Sequence, residues 1–376
     1  MNIQPFHANI PQSALDDLRD RLARARWPES LPGVGWTYGV PPEYVRRLYE
    51  HWCDGYDWRK WEAKLNAYPQ FRAEIDGQTI HFLHVRSPEP DALPLIVTHG
   101  WPGSVFEWLR VIDPLTNPRV YGVDPKEAYH LVIPSLPGFG FSGPTREPGW
   151  GPDRIARAWV ELMHGLGYDR YGVVGNDWGS IISPQLGRIV PDRVVGTHVT
   201  QIFLSPDSPP AGAPDILSNP TPEELTALKG QNWFKENMAA YDWLQGQQPQ
   251  TLSYALADSP LGLLAWFCLI YRDGEGIDDD FVLTNTTLYW LTNTIASAAR
   301  IYYERDHTPL NLAPSAVPLA LAMFRDDGRA FRRLAEHVYT NIAQWNLYDT
   351  GGHYAAHQVP EVWLADVRRF FKKVRG

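Results

Sequence analysis

Only two cysteines, Cys53 and Cys268, occur in the 376 residues, too few for a disulfide framework or a cysteine-ligated metal site. Basic residues are in deficit. The 34 Lys and Arg stand against 43 Asp and Glu, a net charge of −9, which argues against nucleic acid or an anionic membrane as the main partner. No run approaches the ~20 apolar residues that a membrane span needs; the longest, Leu261 to Tyr271, has eleven and suits a buried helix. The N-terminus lacks the basic start and apolar stretch of a secretory signal, so a cytoplasmic location is expected. With 44% hydrophobic and 20% charged residues, disorder is excluded as the dominant state. What the chain has in quantity is aromatic: 16 Trp, 18 Tyr and 14 Phe, beside 33 Pro and 30 Gly. That composition suits an aromatic-lined interior with many ordered turns.

The length allows two or three domains. Residues 13–26 place Leu15, Leu18, Leu22 and Ala25 on one helical face, with Ser13 and Asp16 at capping-box spacing and a stop at Trp27-Pro28. Further helices are expected at 42–53 and 58–65, so residues 1–70 read as a helical extension without a catalytic signature. From 71 the pattern changes. FRAEI and TIHFLHV flank the turn Asp76-Gly77 as a hairpin, and LPLIVT, YHLVIPSL and YGVVG are short apolar runs separated by helical stretches. Buried strands alternating with helices indicate a mostly parallel α/β sheet. Six prolines between 205 and 222 break this rhythm, and aromatic helical stretches follow until AVPLALAMF (316–324) restores it. The fold class is therefore read as α/β: a core formed by 71–204 and 312–376, interrupted by a helical lid at 205–311.

Three segments carry chemistry. In Gly175-Asn-Asp-Trp-Gly-Ser180 a strand ends, Asp177 sits at the turn and a helix follows. This is the nucleophile elbow of an α/β-hydrolase core with aspartate in place of serine; the plainer alternative makes Asp177 a helix N-cap. A carboxylate is already anionic at neutral pH and can displace a leaving group at saturated carbon to form an ester. The expected substrate is thus an epoxide or an alkyl halide. His99-Gly-Trp-Pro-Gly-Ser104 follows a strand at the place that supplies one oxyanion-hole amide, with the other from the residue after the nucleophile. Those amides are expected from Trp101 and Trp178, with His99 itself structural. Gly351-Gly-His353 lies after the last strand, where the general base belongs, and His357 is the weaker candidate. The orienting acid is expected in Arg325-Asp326-Asp327, which offers two adjacent carboxylates.

Gly138-Phe-Gly-Phe-Ser-Gly143 has the dinucleotide-binding spacing, but PTREPGWGP follows it and cannot open the helix such a site requires. His81 and His84 on one strand do not make a metal site. No cofactor and no metal are expected.

Taken together, HGWPGS (99–104), PSLPGFGFS (134–142), GNDWGS (175–180), GGHYAA (351–356) and the N-terminal Trp58, Leu65-Asn-Ala-Tyr-Pro69 and Ile80 to Val85 stretches resemble the microsomal-type epoxide hydrolases. The resemblance covers nearly the whole chain. It implies two lid tyrosines that donate to the epoxide oxygen. By position these are Tyr241, ahead of Gln248-Pro-Gln-Thr251, and Tyr302 in Arg300-Ile-Tyr-Tyr-Glu304, with Tyr303 as neighbour. The family often carries Phe-Pro-x-Glu or Phe-Pro-x-Asp at the acid, whereas this chain has Phe324-Arg-Asp-Asp327. Counting from Val317-Pro318 favours Asp327, and the missing proline keeps Asp326 in play. The implied activity is addition of water to a small apolar or aromatic epoxide through an Asp177 ester. Expected partners are that substrate and water, with room for a homodimer and none for nucleic acid or membrane. A haloalkane dehalogenase with the same nucleophile, or a non-catalytic small-molecule receptor, are the alternatives.

Overall fold

The computed structural model describes residues 1–272 and 274–375. A single nine-stranded sheet runs through it in the order β1-β2-β3-β5-β4-β6-β7-β8-β9. These strands are β1 (Ile3–Phe6), β2 (Gln70–Ile75), β3 (Gln78–Val85), β4 (Leu93–Thr98), β5 (Tyr129–Pro134), β6 (Tyr171–Gly175), β7 (Val194–Val199), β8 (Leu319–Met323) and β9 (Ile342–Leu347). β1, β2, β3 and β5 pair antiparallel, and every pair from β5 through β4 and β6 to β9 is parallel. The turn between β2 and β3 holds both Asp76 and Gly77 at positive φ, the two-residue geometry whose twist matches a hairpin. β4 and β6 are the central strands, and each is buried over almost its whole length. Helices cover both faces, which is what makes these strands read as unbroken apolar runs rather than alternating ones.

The first 70 residues are not purely helical. Ile3–Phe6 adds an edge strand with the register Ile3↔Ala73 to Phe6↔Gln70. Its sequence, IQPF, carries no alternation and includes a proline, which only an edge position tolerates; pairing with β2, not local propensity, makes it a strand. The first helix, Gln12–Ala23, has Pro11 at its N-cap and no side-chain cap, so Ser13 lies inside the helix and the expected capping box does not form. Asp16 instead accepts from Gln12 Nε2 at 3.1 Å.

Between β7 and β8 the described residues hold six helices: Pro222–Asn237, Ala240–Gln247, Pro249–Asp258, Pro260–Phe267, Asp279–Thr292 and Ile295–His307. The N-terminal helices Pro42–Asp54 and Trp58–Asn66 grip this insertion through charge. Arg47 meets Asp279 at 2.6 Å, and His51 Nε2 and Trp61 Nε1 reach Asp280 at 2.7 and 3.2 Å. The apolar run 261–271 spans a buried helix and the turn after it, and among the described residues no helix is long and apolar enough to cross a membrane.

Candidate active site

β6 ends at Gly175, and Asp177 follows with φ 52° and ψ −114°, a conformation that non-glycine residues rarely hold. The helix Trp178–Ile189 starts immediately afterwards. The elbow is tight because a Cβ on Gly179 would lie 2.0 Å from the Thr98 carbonyl oxygen of β4. Asp177 makes no capping bond with its side chain, so the N-cap alternative does not describe it. Its Oδ1 accepts the Trp101 N–H at 2.8 Å, and the Trp178 N–H also favours its ionised form. Only glycine fits at position 100, where a Cβ would stand 2.1 Å from that same Oδ1.

The other carboxylate oxygen, Oδ2, lies 3.8 Å from His353 Nε2, and His353 Nδ1 lies 3.4 Å from Asp327 Oδ1. The second distance is at the long end for a hydrogen bond, and the first leaves Nε2 without a bonded partner. Asp327 is held from the far side by Gln201 Nε2 and by the Gly328 N–H. Asp326 instead pairs with Arg325 at 3.0 Å on the surface and makes no contact with the imidazole. Of the two adjacent carboxylates, only Asp327 faces His353. His357 is elsewhere, bonded to Asp278 at 3.0 Å and stacked on Phe281. His99 is wholly buried between the Gly100 carbonyl and the Leu136 N–H, and burial lowers its pKa to about 4, so it stays a neutral brace for two loops.

Across from Asp177 stand the lid aromatics. Tyr241, on Ala240–Gln247, stacks on Trp101 with ring centres 5.2 Å apart and planes 13° apart. Tyr302, on Ile295–His307, meets Trp178 edge to face at 4.8 Å and Trp101 at 5.6 Å. The two tyrosine rings are 6.0 Å from each other. Phe267 completes this apolar wall against Trp101. Tyr303 is more than a third exposed and stacks on His307, away from the site.

Charge sets the protonation states. Burial raises the Asp177 pKa, against the pull of His353 and the two amides. Burial also pushes Asp327 upward, but the His353 charge and the bonds from His353, Gln201 and Gly328 outweigh it and hold it low. For His353 burial acts downward, yet Asp327 and Asp177 together raise it to about 9. Both tyrosines are driven well above the ordinary value of 10, chiefly by burial, with the Asp177 charge adding to it. The resting site therefore favours an imidazolium at His353 beside the buried Asp177 carboxyl, with two fully protonated phenols.

Gln201 and Asn176 carry the framework and were not singled out by the sequence. Gln201 Oε1 accepts the Asp177 N–H at 2.8 Å while its Nε2 bonds Asn176 Oδ1 at 2.9 Å as well as Asp327. The one available signal was position: Gln201 lies two residues beyond the end of β7, and Asn176 lies inside the elbow.

Residues 3–108 match the family described as epoxide hydrolase N terminus, and residues 94–240 match the alpha/beta hydrolase fold. A Stigmatella aurantiaca protein named "Putative epoxide hydrolase" is 41% identical over 386 residues, covering 100% of this chain and 86% of that protein. Juvenile hormone epoxide hydrolase 1 of Ctenocephalides felis is 31% identical over 410 residues, covering 100% and 87%. Among solved structures, the Aspergillus niger epoxide hydrolase superposes with a TM-score of 0.87 at 29% identity, covering 100% of this chain and 97% of that one.

Proposed function

Because the chain belongs to the epoxide hydrolases that join an N-terminal epoxide hydrolase segment to an α/β-hydrolase fold, we propose that it converts a small apolar or aromatic epoxide and water into a vicinal diol through an ester on Asp177. One observation carries this reading: Asp177 keeps one carboxylate oxygen on the Trp101 amide and turns the other toward His353.

In the first half-reaction Oδ2 attacks an epoxide carbon and the C–O bond of the ring breaks. Tyr302 and Tyr241 bond the opening oxygen, and one of them gives it a proton; an alkoxide is basic enough to take it even from a phenol of raised pKa. Ester formation consumes the Asp177 charge. That charge is among the influences holding both phenols and His353 at high pKa, so its loss makes the phenols better acids and releases His353 toward the neutral base. The imidazolium proton then replaces the one the phenol gave. In the second half-reaction neutral His353, oriented by Asp327, takes a proton from water, whose oxygen attacks the ester carbonyl. Negative charge collects on Oδ1, which the Trp101 amide bonds, with the Trp178 amide as the second donor. The ester bond breaks, the imidazolium proton goes to the departing oxygen, and the Asp177 carboxylic acid so formed gives its proton to His353, which restores the carboxylate and the imidazolium.

A dehalogenase reading draws on the buried, unpartnered indole N–H groups of Trp101 and Trp178, the soft donors a halide would take. The tyrosines decide between the two. Tyr302→Phe should slow ester formation roughly 10²–10³-fold, the effect of losing one well-placed donor at an oxyanion, and the Tyr241→Phe, Tyr302→Phe double variant should be almost inactive on epoxides. Rapid-mixing fluorescence on a panel of epoxides and haloalkanes measures this. Halide release that outpaces every epoxide, or a double variant as fast as wild type, would overturn the reading.

A further inference from the structure

Among the described residues four carboxyls are almost wholly buried: Glu62, Glu107, Glu224 and Asp366. Glu62 pairs with Arg59, Glu224 with Arg333 and Asp366 with His198. Glu107 has no cation bonded to it. It stands in the short helix Val105–Trp108, directly after the loop that carries the Trp101 amide, with no exposed surface. Its Oε1 accepts from Asn176 Nδ2 at 2.8 Å, and its Oε2 is buried with no partner at all. Leaving a carboxyl oxygen unmet in a dry interior is costly, so this one calls for an explanation.

Oε2 points to the rear of the active site. A Cβ on Gly103 would lie 3.2 Å from it and 3.3 Å from Tyr354 Cε1, and the Tyr354 ring packs edge to face against His353 with centres 4.9 Å apart. Glu107 and His353 are close enough for each to shift the other's proton affinity, and Asp177 acts on both. His353 Nε2 is the other buried polar atom here without a partner.

We propose that Glu107 is a catalytic residue of the second half-reaction: Glu107 Oε2 and His353 Nε2 hold between them the water that hydrolyses the Asp177 ester. This rests on the covalent reading above. The water gives one proton to His353, which passes it to the departing diol oxygen. Glu107 accepts a hydrogen bond from the second O–H and exchanges no proton in the step. Two fixed acceptors, one on each O–H, aim the oxygen lone pair at the ester carbon.

The ionised form of Glu107 is the acceptor, and its surroundings govern when that form is available. Burial raises its pKa to about 8; His353 and the Asn176 bond oppose the rise, while the Asp177 charge adds to it. The phenols of Tyr271, Tyr289 and Tyr354 also face it. Esterification removes the Asp177 charge that raises Glu107, and the accompanying neutralisation of His353 removes an influence that lowers it, so the Asn176 bond is what continues to favour the ionised form in the intermediate.

The test is Glu107→Gln in the full-length chain, with ester formation and ester hydrolysis followed separately by rapid mixing and intact mass. We expect ester formation within about threefold of wild type, and hydrolysis slower by roughly 10- to 10²-fold, the range in which misplacement of a reacting group acts. Hydrolysis in wild type should rise with pH over two ionisations, and in Glu107→Gln over one. Only folded molecules are esterified, so hydrolysis is measured on folded protein. For Glu107→Ala, added formate should recover part of the lost hydrolysis. Wild-type hydrolysis with an unchanged pH profile, equal slowing of both half-reactions, or no response of Glu107→Ala to formate would overturn the proposal. A different result, failure of His353→Gln to accumulate any ester, would remove the covalent reading itself.

Discussion

Asp326 and Asp327 share a chemistry and differ in what they face. Asp327 is turned to the imidazole and held by Gln201 and an amide, whereas Asp326 balances Arg325 at the surface. Asp327→Asn should therefore slow ester hydrolysis by roughly 10²-fold or more, because the imidazolium loses its charged partner and the preferred tautomer, and Asp326→Asn should stay within a few-fold of wild type. Single-turnover decay of the ester measures both, and the reverse ranking would contradict the assignment. Much at this scale was legible from sequence. Asp177, Trp101, Trp178 and His353 stand in motifs whose glycines allow only a few backbone shapes, and their geometry follows from those shapes. Tyr241 and Tyr302 had no local signal, since any of 18 tyrosines serves equally well as core, and they were reached through family resemblance alone. Gln201 escaped because a glutamine beyond a strand is ordinary until the neighbouring loop is folded against it.

At the scale of elements, the two lid tyrosines depend on how two helices are pinned. Arg305, one turn beyond Tyr302, bonds both carboxylate oxygens of Asp242, at 2.8 and 3.2 Å, and Asp306 at 2.7 Å. Asp242 adjoins Tyr241, so a single guanidinium fixes Ala240–Gln247 against Ile295–His307. It also lies over the Trp178 and Tyr302 rings, at 5.5 and 5.4 Å from their centres. Arg305→Met removes the fork but keeps the aliphatic bulk. It should lower the rate of ester formation roughly 10- to 10²-fold, the range in which misplacement of reacting groups acts, while leaving decay of the formed ester nearly unchanged; equal loss in both half-reactions would show a general defect instead. The elements themselves were well marked where the sequence is periodic or punctuated. The hairpin at Asp76-Gly77 and the helices near 42–54 and 58–66 follow such signals. Ile3–Phe6 was invisible because four residues with a central proline become a strand only when Gln70–Ile75 lies beside them, and Ser13 failed as a cap because the helix starts at Gln12, with Pro11 as its N-cap two residues earlier.

For the whole molecule, a second buried polar cluster sits between β7, β9 and the helix Pro360–Val374. His198 and Asp366 pair at 2.8 Å with no exposed side-chain surface, and Gln344, Asn346 and Tyr348 also donate to the carboxylate. Burial alone would raise Asp366, but these bonds and the His198 charge bring it down to about 2. A depressed carboxyl contributes stability that is present above its unfolded pKa and lost as pH falls through the folded one. From 3.8 to about 2 this amounts to roughly 2 kcal/mol. The stability difference between wild type and Asp366→Asn, from urea unfolding, should shrink between pH 4 and pH 2 and hold steady above pH 5. The candidate site adds the opposite demand, Asp177 held at positive φ with burial raising its carboxyl pKa. That a covalent ester on Asp177 is the route by which the cleft opens epoxides is tested most directly by one turnover in ¹⁸O-water with enzyme in excess. Attack of Oδ2 on substrate carbon sends an Asp177 oxygen into the diol, and water replaces it. The account predicts unlabelled diol and one ¹⁸O on the peptide containing Asp177; labelled diol with an unlabelled Asp177 peptide would contradict it.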